Sequence, residues 1–437
     1  MALRDVAVTA IAGTLTVIAL GRPDIGVLAW TWLSTMNPHR MGWGFAYDMP
    51  FAAMIAAATL VGMLFYKGPR RFPLYAPVIA LLLFDLWMIV THFAGFYPDL
   101  SEQFAVRIIK IQFMLFITLY LLVERWQLNA FIAVLAGSIA FFGVKGGVFT
   151  LLSGGSARVW GPTDSFLQGN NEIGIALVMT IPLLFYLRSI VANVWIQRVI
   201  LISGVLCAAS ALGTQSRGAL LAISAMSMLL WWRSQKKAVV GVALVVVAVG
   251  LLAFMPQTWE DRMRTLQNYE QDLSSMQRID VWRMTWNLAL DNPLTGGGYA
   301  IYTNELNAIY NPNPIGGLRN AHSIYFSVLG EHGFVGLALF LAVWLYTWGA
   351  CNWVRSRSKG RADLSWAYLL ASMLQVSLVG YLVGGAFLYL AYADFPYGLM
   401  VSAVVLKDIL RRSLLSQEEK RTSLPAAAVR PPSSRAA

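Results

Sequence analysis

Residues 238–255 read AVVGVALVVVAVGLLAFM and directly follow the basic pair Lys236 and Lys237. The run contains no charged residue, so a helix formed by it is apolar on every face. An α-helix needs about 20 predominantly apolar residues to cross the hydrocarbon core of a bilayer, within a range of roughly 17–25. The run therefore predicts a transmembrane helix with a basic flank, and similar segments are expected elsewhere in the chain.

Ten further segments have a similar length and composition. Together, the eleven predicted spans lie near 50–66, 74–94, 104–123, 128–152, 172–189, 194–212, 217–233, 237–255, 322–349, 366–391 and 395–412. Residues 3–36 are also apolar, but Gly21, Arg22 and Pro23 interrupt them. We predict an all-α polytopic membrane protein with about twelve transmembrane helices, in which residues 3–36 make one broken crossing. A hairpin of two short helices, which gives thirteen, is the alternative.

The composition of the whole chain agrees with this prediction. Of the 437 residues, 57% are hydrophobic and only 13% are charged, whereas a soluble domain has about 25% charged residues. The composition excludes a soluble enzyme, a disordered protein and a disulfide-stapled secreted domain. The formal net charge is +11, from 33 Lys and Arg against 22 Asp and Glu. In a membrane protein, an excess of basic residues reflects how the loops are oriented across the bilayer. The positive charge therefore does not indicate nucleic-acid binding, and we predict no nucleic-acid partner.

Basic residues are unevenly distributed between the two alternating sets of loops. One set, together with Arg4 and the C-terminal tail, holds 21 of the 33 basic residues, and the positive-inside rule places it in the cytoplasm. The intervening loops then face outward. We predict membrane helices over 1–255, an outward loop over 256–321 with a helix near 274–291, membrane helices over 322–412, and a disordered cytoplasmic tail over 413–437.

The usual cofactor signatures do not occur in the sequence. There is no phosphate-binding loop, no dinucleotide fingerprint after a strand, and no His, Cys or Asp cluster with metal-ligand spacing. The glycine cluster at 296–298 follows a predicted helix and indicates a turn. We therefore predict a protein that uses neither a metal ion nor another cofactor.

Several arginines lie on the outward side, against the positive-inside bias. They are Arg158, Arg217 at the start of a span, and Arg278 and Arg319 in the long loop. A guanidinium is always charged and pairs with two phosphate oxygens at once, so arginine suits a diphosphate at a membrane surface. A single arginine at a helix end more commonly just extends to the interface. For Arg217, which small polar residues flank, both explanations stay open.

Two further residues near the start of the next span are candidates for a chemical role. His322 begins the span, and an imidazole that titrates near neutrality accepts a proton from a hydroxyl. A histidine that only hydrogen-bonds at a helix start is the more common case. Glu331 follows about two and a half turns deeper. An ionised carboxylate at that depth is costly, so Glu331 requires a partner or a polar cavity.

The order of these motifs resembles that of the O-antigen ligase and polymerase superfamily. The resemblance covers roughly residues 155–345 and rests on Arg217 at a helix start, Arg278-x-x-x-Trp282, Asn292-Pro293-Leu294-x-Gly296-x-Gly298, His322, and Glu331-x-Gly333. A second stretch resembles the N-terminal region of exosortase-associated O-glycosylation ligases of Gram-negative bacteria. It comprises Asn37-Pro38-His39-Arg40, residues 43–48 (WGFAYD) and Pro50-Phe51-Ala52.

The resemblance implies a C-type glycosyltransferase fold (GT-C) with a periplasmic helical loop, in the bacterial inner membrane. It implies a glycan donor on undecaprenyl diphosphate and transfer at the periplasmic face without a metal ion. By this resemblance Arg217 and Arg278 contact the diphosphate, and His322 acts on the acceptor hydroxyl. Many members have Asn after this histidine, where this chain has Ser323.

Four other residues are candidates for contacts with the substrate: Arg158, Arg283, Arg319 and Glu331. Arg283 and Arg319 compete with Arg278 as the second phosphate-binding arginine. The spacing to Trp282 favours Arg278.

The sequence is compatible with several acceptors of the glycan. A lipid A–core hydroxyl is the leading prediction, and a protein Ser or Thr hydroxyl or a growing glycan chain are the enzymatic alternatives. A transporter or flippase of the lipid-linked glycan is the non-enzymatic alternative. Such a protein needs polar residues along a path to both faces, whereas the candidate arginines and His322 concentrate at one face. This distribution favours an enzyme.

Overall fold

A computed structural model of the chain describes residues 3–422, apart from 235, 254, 258, 260–272, 313, 316 and 318. Within these residues the secondary structure is helical and contains no strand. In chain order the helices are α1 (Leu3–Gly21), α2 (Pro23–Met36), α3 (Phe51–Phe65), α4 (Ala76–Phe93), α5 (Pro98–Leu121), α6 (Arg125–Leu152), α7 (Asn170–Ile190), α8 (Val194–Gly213), α9 (Arg217–Arg233), α10 (Lys237–Ala253), α11 (Leu273–Asp291), α12 (Asn304–Tyr310), α13 (Ile324–Ser358), α14 (Ser365–Gly385) and α15 (Asp394–Thr422).

Each of the eleven predicted spans coincides with one of these helices. Among the described residues, eight helices are long and apolar enough to cross a membrane by themselves: α1, α4, α5, α6, α7, α8, α13 and α14 with its preceding turn. Helices α3, α9 and α10 are apolar but have only 15 to 17 residues. The all-α polytopic prediction is confirmed at this level, with eight candidate spans rather than a demonstrated twelve.

The prediction that residues 3–36 make one broken crossing is wrong. The segment forms two helices, α1 and α2, and the start of α1 returns to the residues that follow α2. There, the Arg4 guanidinium donates to the Met41 carbonyl oxygen, and the Asp5 carboxylate lies against Gly44. Pro23 occupies the first turn of α2, where a proline favours the start of a new helix. The N-terminus therefore lies at the same end of the bundle as loop 37–49.

The centre of the bundle is formed by α7 and α14. Each has 72% of its most apolar window buried, more than the other candidate spans. Ser377 Oγ on α14 donates to the Met179 carbonyl oxygen on α7 at 2.7 Å. A Cβ atom on Gly384 would lie 2.2 Å from Ile175 Cδ1, so the glycine permits this close contact between the helices. The pair thereby holds the start of α7 beside the end of α14.

Two helices in the C-terminal part of the chain, α13 and α15, differ from the prediction. Helix α13 is one continuous element of 35 residues except at Gly333, whose backbone is non-helical (φ 68°, ψ −171°). Helix α15 continues to Thr422, so the predicted disorder is wrong for residues 413–422. Arg361 supports this extension by donating to Gln417 Oε1 at 2.9 Å. The remaining predicted tail, 423–437, lies outside the described residues.

Candidate active site

A small polar cavity lies where α7, α9, α11 and the end of α14 meet. Its volume is about 60 Å³, and it is lined by Asn171, Ser216, Arg217, Gly218, Arg278, Phe387 and Leu388. Arg217 and Arg278 are far apart in the sequence, yet both face this one cavity. The structure thus brings together the two arginines that the motifs singled out.

Arg217 is the first residue of α9, and the preceding turn fixes its position. Gln215 adopts a left-handed backbone conformation (φ 54°) that redirects the chain between α8 and α9. The Asn170 side-chain amide donates to the Thr214 carbonyl oxygen at 2.8 Å, and Ser216 Oγ accepts from the Ala219 N–H at 3.2 Å. The start of α9 therefore faces the cavity, and helix N-termini favour anions through their unpaired N–H groups and the helix dipole.

The start of α7 forms a second wall of the cavity. Asn171 lines it, and Glu172 folds back over Gly169, where a Cβ atom would lie 1.9 Å from Glu172 Oε2. Glu172 is also close enough to Arg278 for an electrostatic attraction. Gly169 is thus required for the Glu172 position, and this carboxylate offsets part of the charge of Arg278.

Trp282 attaches α11 to the start of α13. Its Nε1 donates to the Ala321 carbonyl oxygen at 2.7 Å, and its ring stacks on Phe326 at 4.9 Å between centroids. Arg278 lies one turn before Trp282 on the same helix, so this attachment places Arg278 near His322. The Arg278-x-x-x-Trp282 spacing therefore has a structural basis.

His322 lies immediately before the N-cap of α13, in an unusual environment. Its backbone is left-handed (φ 44°), which costs about 1–3 kcal/mol outside glycine and is concentrated at functional sites. Its Nδ1 atom is buried without a hydrogen-bond partner among the described residues. Burial, and then the positive charges of Arg278 and Arg319, lower the pKa of His322 to about 4. The imidazole is therefore neutral at pH 7 and able to accept a proton.

Two parts of the chain are similar to families of known proteins. Residues 202–341 match the O-antigen ligase family, and residues 3–192 match a family of unknown function (DUF5935). Residues 202–341 are thus similar to O-antigen ligases. This confirms the resemblance to the O-antigen ligase superfamily, and Arg217, Arg278 and His322 all lie inside the matched region. No curated protein matches the chain significantly, and the likeness to exosortase-associated ligases stays a prediction.

The other candidate arginines lie outside the cavity. Arg283 and Arg319 are exposed and do not line it, although Arg319 affects His322 electrostatically. Arg158 is exposed as well, and its Nε donates to Gln215 Oε1 at 3.1 Å. The geometry therefore separates Arg278 from its two competitors and gives Arg158 a contact with the turn before Arg217.

Glu331 is fully buried and does not reach the cavity. Tyr389 Oη donates to Glu331 Oε1 at 2.9 Å, and Tyr392 Oη donates to Glu331 Oε2. The predicted need for a partner is met by these two tyrosines. Glu331 therefore supports the interior of the helix bundle rather than lining this cavity.

The glycine cluster docks the long loop onto α13 beside Glu331. The N–H groups of Gly297 and Gly298 donate to the carbonyl oxygens of Gly330 and Glu331, each at 2.9 Å. At the break in α13, a Cβ atom on Gly333 would lie 2.3 Å from the Leu294 carbonyl oxygen. The Glu331-x-Gly333 motif thus has a structural role, because it joins the loop to the helix that follows His322.

The cavity favours anions rather than a metal ion. Its charged and polar lining consists mainly of guanidinium, amide and helix N–H donors, whereas Mg²⁺ and Ca²⁺ require oxygen ligands. Across the described part of the chain, no group of three or more His, Cys, Asp or Glu residues is arranged to hold a metal ion. What the cavity can do chemically is bind a negatively charged group beside a neutral imidazole.

Sequence reasoning missed five residues that line the cavity: Asn171, Ser216, Gly218, Phe387 and Leu388. The polar stretch Gly169-Asn170-Asn171-Glu172 was a usable signal, because it ends an outward loop directly before a span. Phe387 lies inside an apolar run and carries no such signal. Only the packing of α14 against α9 places it at the cavity.

Proposed function

We propose that this protein is a metal-independent, inverting glycosyltransferase of the O-antigen ligase type with a GT-C fold. It transfers a polysaccharide from undecaprenyl diphosphate to a lipid A–core hydroxyl at the periplasmic face of the bacterial inner membrane. The observation that supports this most strongly is the shared cavity of Arg217 and Arg278 near His322, within the region that is similar to O-antigen ligases.

Arg217 and Arg278 bind the diphosphate of the donor. A guanidinium forks onto two phosphate oxygens, and the N-terminus of α9 adds backbone N–H groups and a positive dipole end. The cavity of about 60 Å³ accommodates only the charged end of the donor. The lipid tail then extends between the helices into the membrane, and the glycan extends to the outward face.

His322 acts as the general base. The acceptor oxygen attacks the anomeric carbon as its proton passes to the neutral imidazole, and the bond between that carbon and the diphosphate oxygen breaks. The electron pair of this bond leaves with undecaprenyl diphosphate, whose added charge the two arginines stabilise. One direct displacement of this kind inverts the anomeric configuration.

Transfer to a protein Ser or Thr hydroxyl is the second candidate function. The N-terminal motifs around Asn37 and Trp43 resemble exosortase-associated O-glycosylation ligases and favour it. Both functions use the same donor site, because they differ only in the hydroxyl that attacks. A polymerase shares this site as well and uses a growing glycan as its acceptor.

Reconstitution with separate acceptors tests the proposal and ranks these functions. Purified protein in lipid nanodiscs is incubated with undecaprenyl-diphosphate glycan and, in parallel, with lipid A–core, an unstructured Ser/Thr peptide, or free glycan. We expect a covalent glycan product with lipid A–core in the presence of EDTA. A product formed only on the peptide or only on glycan would identify one of the alternatives, whereas movement of the donor across the bilayer without any product would indicate a transporter.

A further inference from the structure

A second pair of arginines lies at the opposite end of α9 from the active-site cavity. Arg233 in the last turn of α9 and Arg355 in the last turn of α13 both point at the side chain of Gln375 on α14. An Nη atom of Arg233 donates to Gln375 Oε1 at 2.8 Å, and an Nη atom of Arg355 donates to the same oxygen at 3.1 Å. This shared acceptor holds the two donor nitrogens within about 6 Å of each other.

The orientation of Gln375 is fixed by its surroundings. The side chain is fully buried, and its Nε2 donates to Asn352 Oδ1 at 2.8 Å and to the Trp348 carbonyl oxygen at 3.3 Å. Its oxygen therefore has to face the arginines. Gln375 supplies a hydrogen-bond acceptor but no negative charge.

No carboxylate neutralises this pair within the described residues. Among the described residues, the titratable groups that influence Arg233 are Arg355, Tyr368 and Cys351, and none of them is a carboxylic acid. Arg355 donates only to Gln375 and, at 3.4 Å, to Tyr368 Oη. Its Nε is buried and has no hydrogen-bond partner among the described residues. Two like charges and one unsatisfied donor therefore converge in a partly buried place.

Helix dipoles account for only part of this arrangement. A cation in the last turn of a helix is favourable, which explains why each arginine is found at the end of its own helix. The dipoles do not explain why the two guanidinium groups approach one neutral oxygen, because like charges repel more strongly as water is removed. An additional anion resolves both the repulsion and the unsatisfied Nε.

We propose that Arg233, Arg355 and Gln375 form a binding site for the phosphate group of an anionic membrane lipid. The aromatic neighbours support a lipid as the occupant. The Trp348 ring lies 5.2 Å from the Arg233 guanidinium, and the Tyr368 ring lies 5.4 Å from that of Arg355. Trp and Tyr are enriched at the lipid–water boundary. Basic pockets between transmembrane helices bind phospholipid headgroups in the same way.

Lipid retention by the full-length protein tests this site. Wild-type protein, Arg355→Gln and Arg233→Gln are placed in nanodiscs of phosphatidylcholine with a minor fraction of phosphatidylglycerol, and co-purified lipid is counted by native mass spectrometry. Arg357→Gln is the matched control, because Arg357 lies in the same last turn of α13 but is exposed and contacts Trp353 instead. We expect each site variant to retain about fivefold less phosphatidylglycerol, and the control to retain as much as wild type.

The unfolding temperature in two lipid compositions is an independent test of the site. In pure phosphatidylcholine we expect Arg355→Gln to unfold at the same temperature as wild type or higher, because the substitution removes a like-charge contact. With phosphatidylglycerol, wild type should gain a few degrees that Arg355→Gln does not gain. Equal phosphatidylglycerol retention by all variants would overturn the proposal, as would equal destabilisation of Arg355→Gln in both lipids. Inorganic phosphate that reproduces the whole shift in phosphatidylcholine would overturn the assignment to a lipid.

Discussion

A pair of arginines lies at each end of helix α9, one from α9 itself and one from a neighbouring helix, and the two ends differ in what surrounds the charge. At the start of α9, Arg217 and Arg278 line a polar cavity with a helix N-terminus directed into it. At the other end, Arg233 and Arg355 converge on the neutral side chain of Gln375, where two helices terminate. Each end of α9 thus has two guanidinium groups, but the helix dipole is positive at the first end and negative at the second.

The chemical neighbours of the two pairs differ as well. The first pair has Glu172 near Arg278, and His322 close enough for Arg278 to lower its pKa. In the second pair, neither a carboxylate nor a histidine is among the described groups that influence Arg233. Arginines alone bind an anion, whereas catalysis also requires a proton acceptor beside them. The comparison therefore supports the proposed chemistry at the first end of α9 and the proposed binding at the second.

Of the substitutions that test this difference, His322→Ala is expected to reduce glycan transfer the most. His322→Ala removes the proton acceptor, and general-base catalysis contributes about 10²–10⁴-fold to a reaction rate. We expect glycan transfer to fall by that factor, with donor binding largely retained, as measured by product formation and by a donor pull-down. Transfer at the wild-type rate by a correctly inserted His322→Ala protein would refute the catalytic role.

The arginines of the cavity are expected to matter less than the base, but more than their exposed neighbour. Arg217→Ala and Arg278→Ala each remove a charged hydrogen-bond donor worth about 1.5–3 kcal/mol, so kcat/KM for the donor should fall about 10- to 100-fold. Arg283→Ala is the matched control, because Arg283 is exposed on the same helix as Arg278 and should change kcat/KM by less than about twofold. A larger loss for Arg283→Ala than for Arg278→Ala would reverse the assignment.

Trp282→Phe tests how Arg278 and His322 are held together. The substitution keeps a ring that stacks on Phe326 but removes the Nε1–H donor to the Ala321 carbonyl oxygen, which costs about 1 kcal/mol. We expect about a fivefold loss of kcat with little change in thermal stability. Trp286→Phe is a suitable control, because Trp286 lies one turn further along α11, is more exposed, and contacts Phe334 instead. Equal losses for both variants would show that the hydrogen bond to Ala321 has no special role.

The pH profile supplies the smallest but most specific test. His322 accepts a proton only in its neutral form, so activity is lost as the pH falls through its pKa. In the free protein this pKa is about 4, so the acid limb of kcat/KM for the donor should lie near that value. A bound diphosphate offsets the positive charge of Arg278, which raises the pKa, so the acid limb of kcat should lie at higher pH.

Arg319 offers a control on this titration. Arg319→Gln removes one of the two positive charges that lower the His322 pKa, and it should move the acid limb of kcat/KM to higher pH. Because Arg319 is exposed, solvent screening keeps this shift smaller than the one caused by the donor. A shift to lower pH would contradict the electrostatic explanation.

Several features of the site were predictable because they depend on neighbouring residues. The Arg278-x-x-x-Trp282 spacing places both residues on one face of a helix, and the structure has that helix at Leu273–Asp291. The position of His322 just before a long apolar run also predicts a helix start. In contrast, the burial of Glu331 against Tyr389 and Tyr392 depends on where the α14–α15 connection packs. No local pattern around Glu331 contains that information.

The topology of residues 3–36 likewise depends on packing that local sequence patterns do not contain. Their hydropathy indicates apolar helices, but one broken crossing and a hairpin have the same composition. The contacts of Arg4 and Asp5 with the residues after α2 distinguish the two. Those contacts join positions about 40 residues apart and are set by the packing of α1 on α2.

The sequence by itself determined that this chain is a helical membrane protein, and that its motifs follow the order of the O-antigen ligase superfamily. Both properties are local, because hydropathy and helix signals sum over consecutive residues. Only the tertiary structure decided that Arg217 and Arg278 share one cavity, that Glu331 is buried against Tyr389 and Tyr392, and that Arg233 and Arg355 meet at Gln375. These features depend on side chains from distant segments, and helix packing alone brings such side chains within hydrogen-bonding distance.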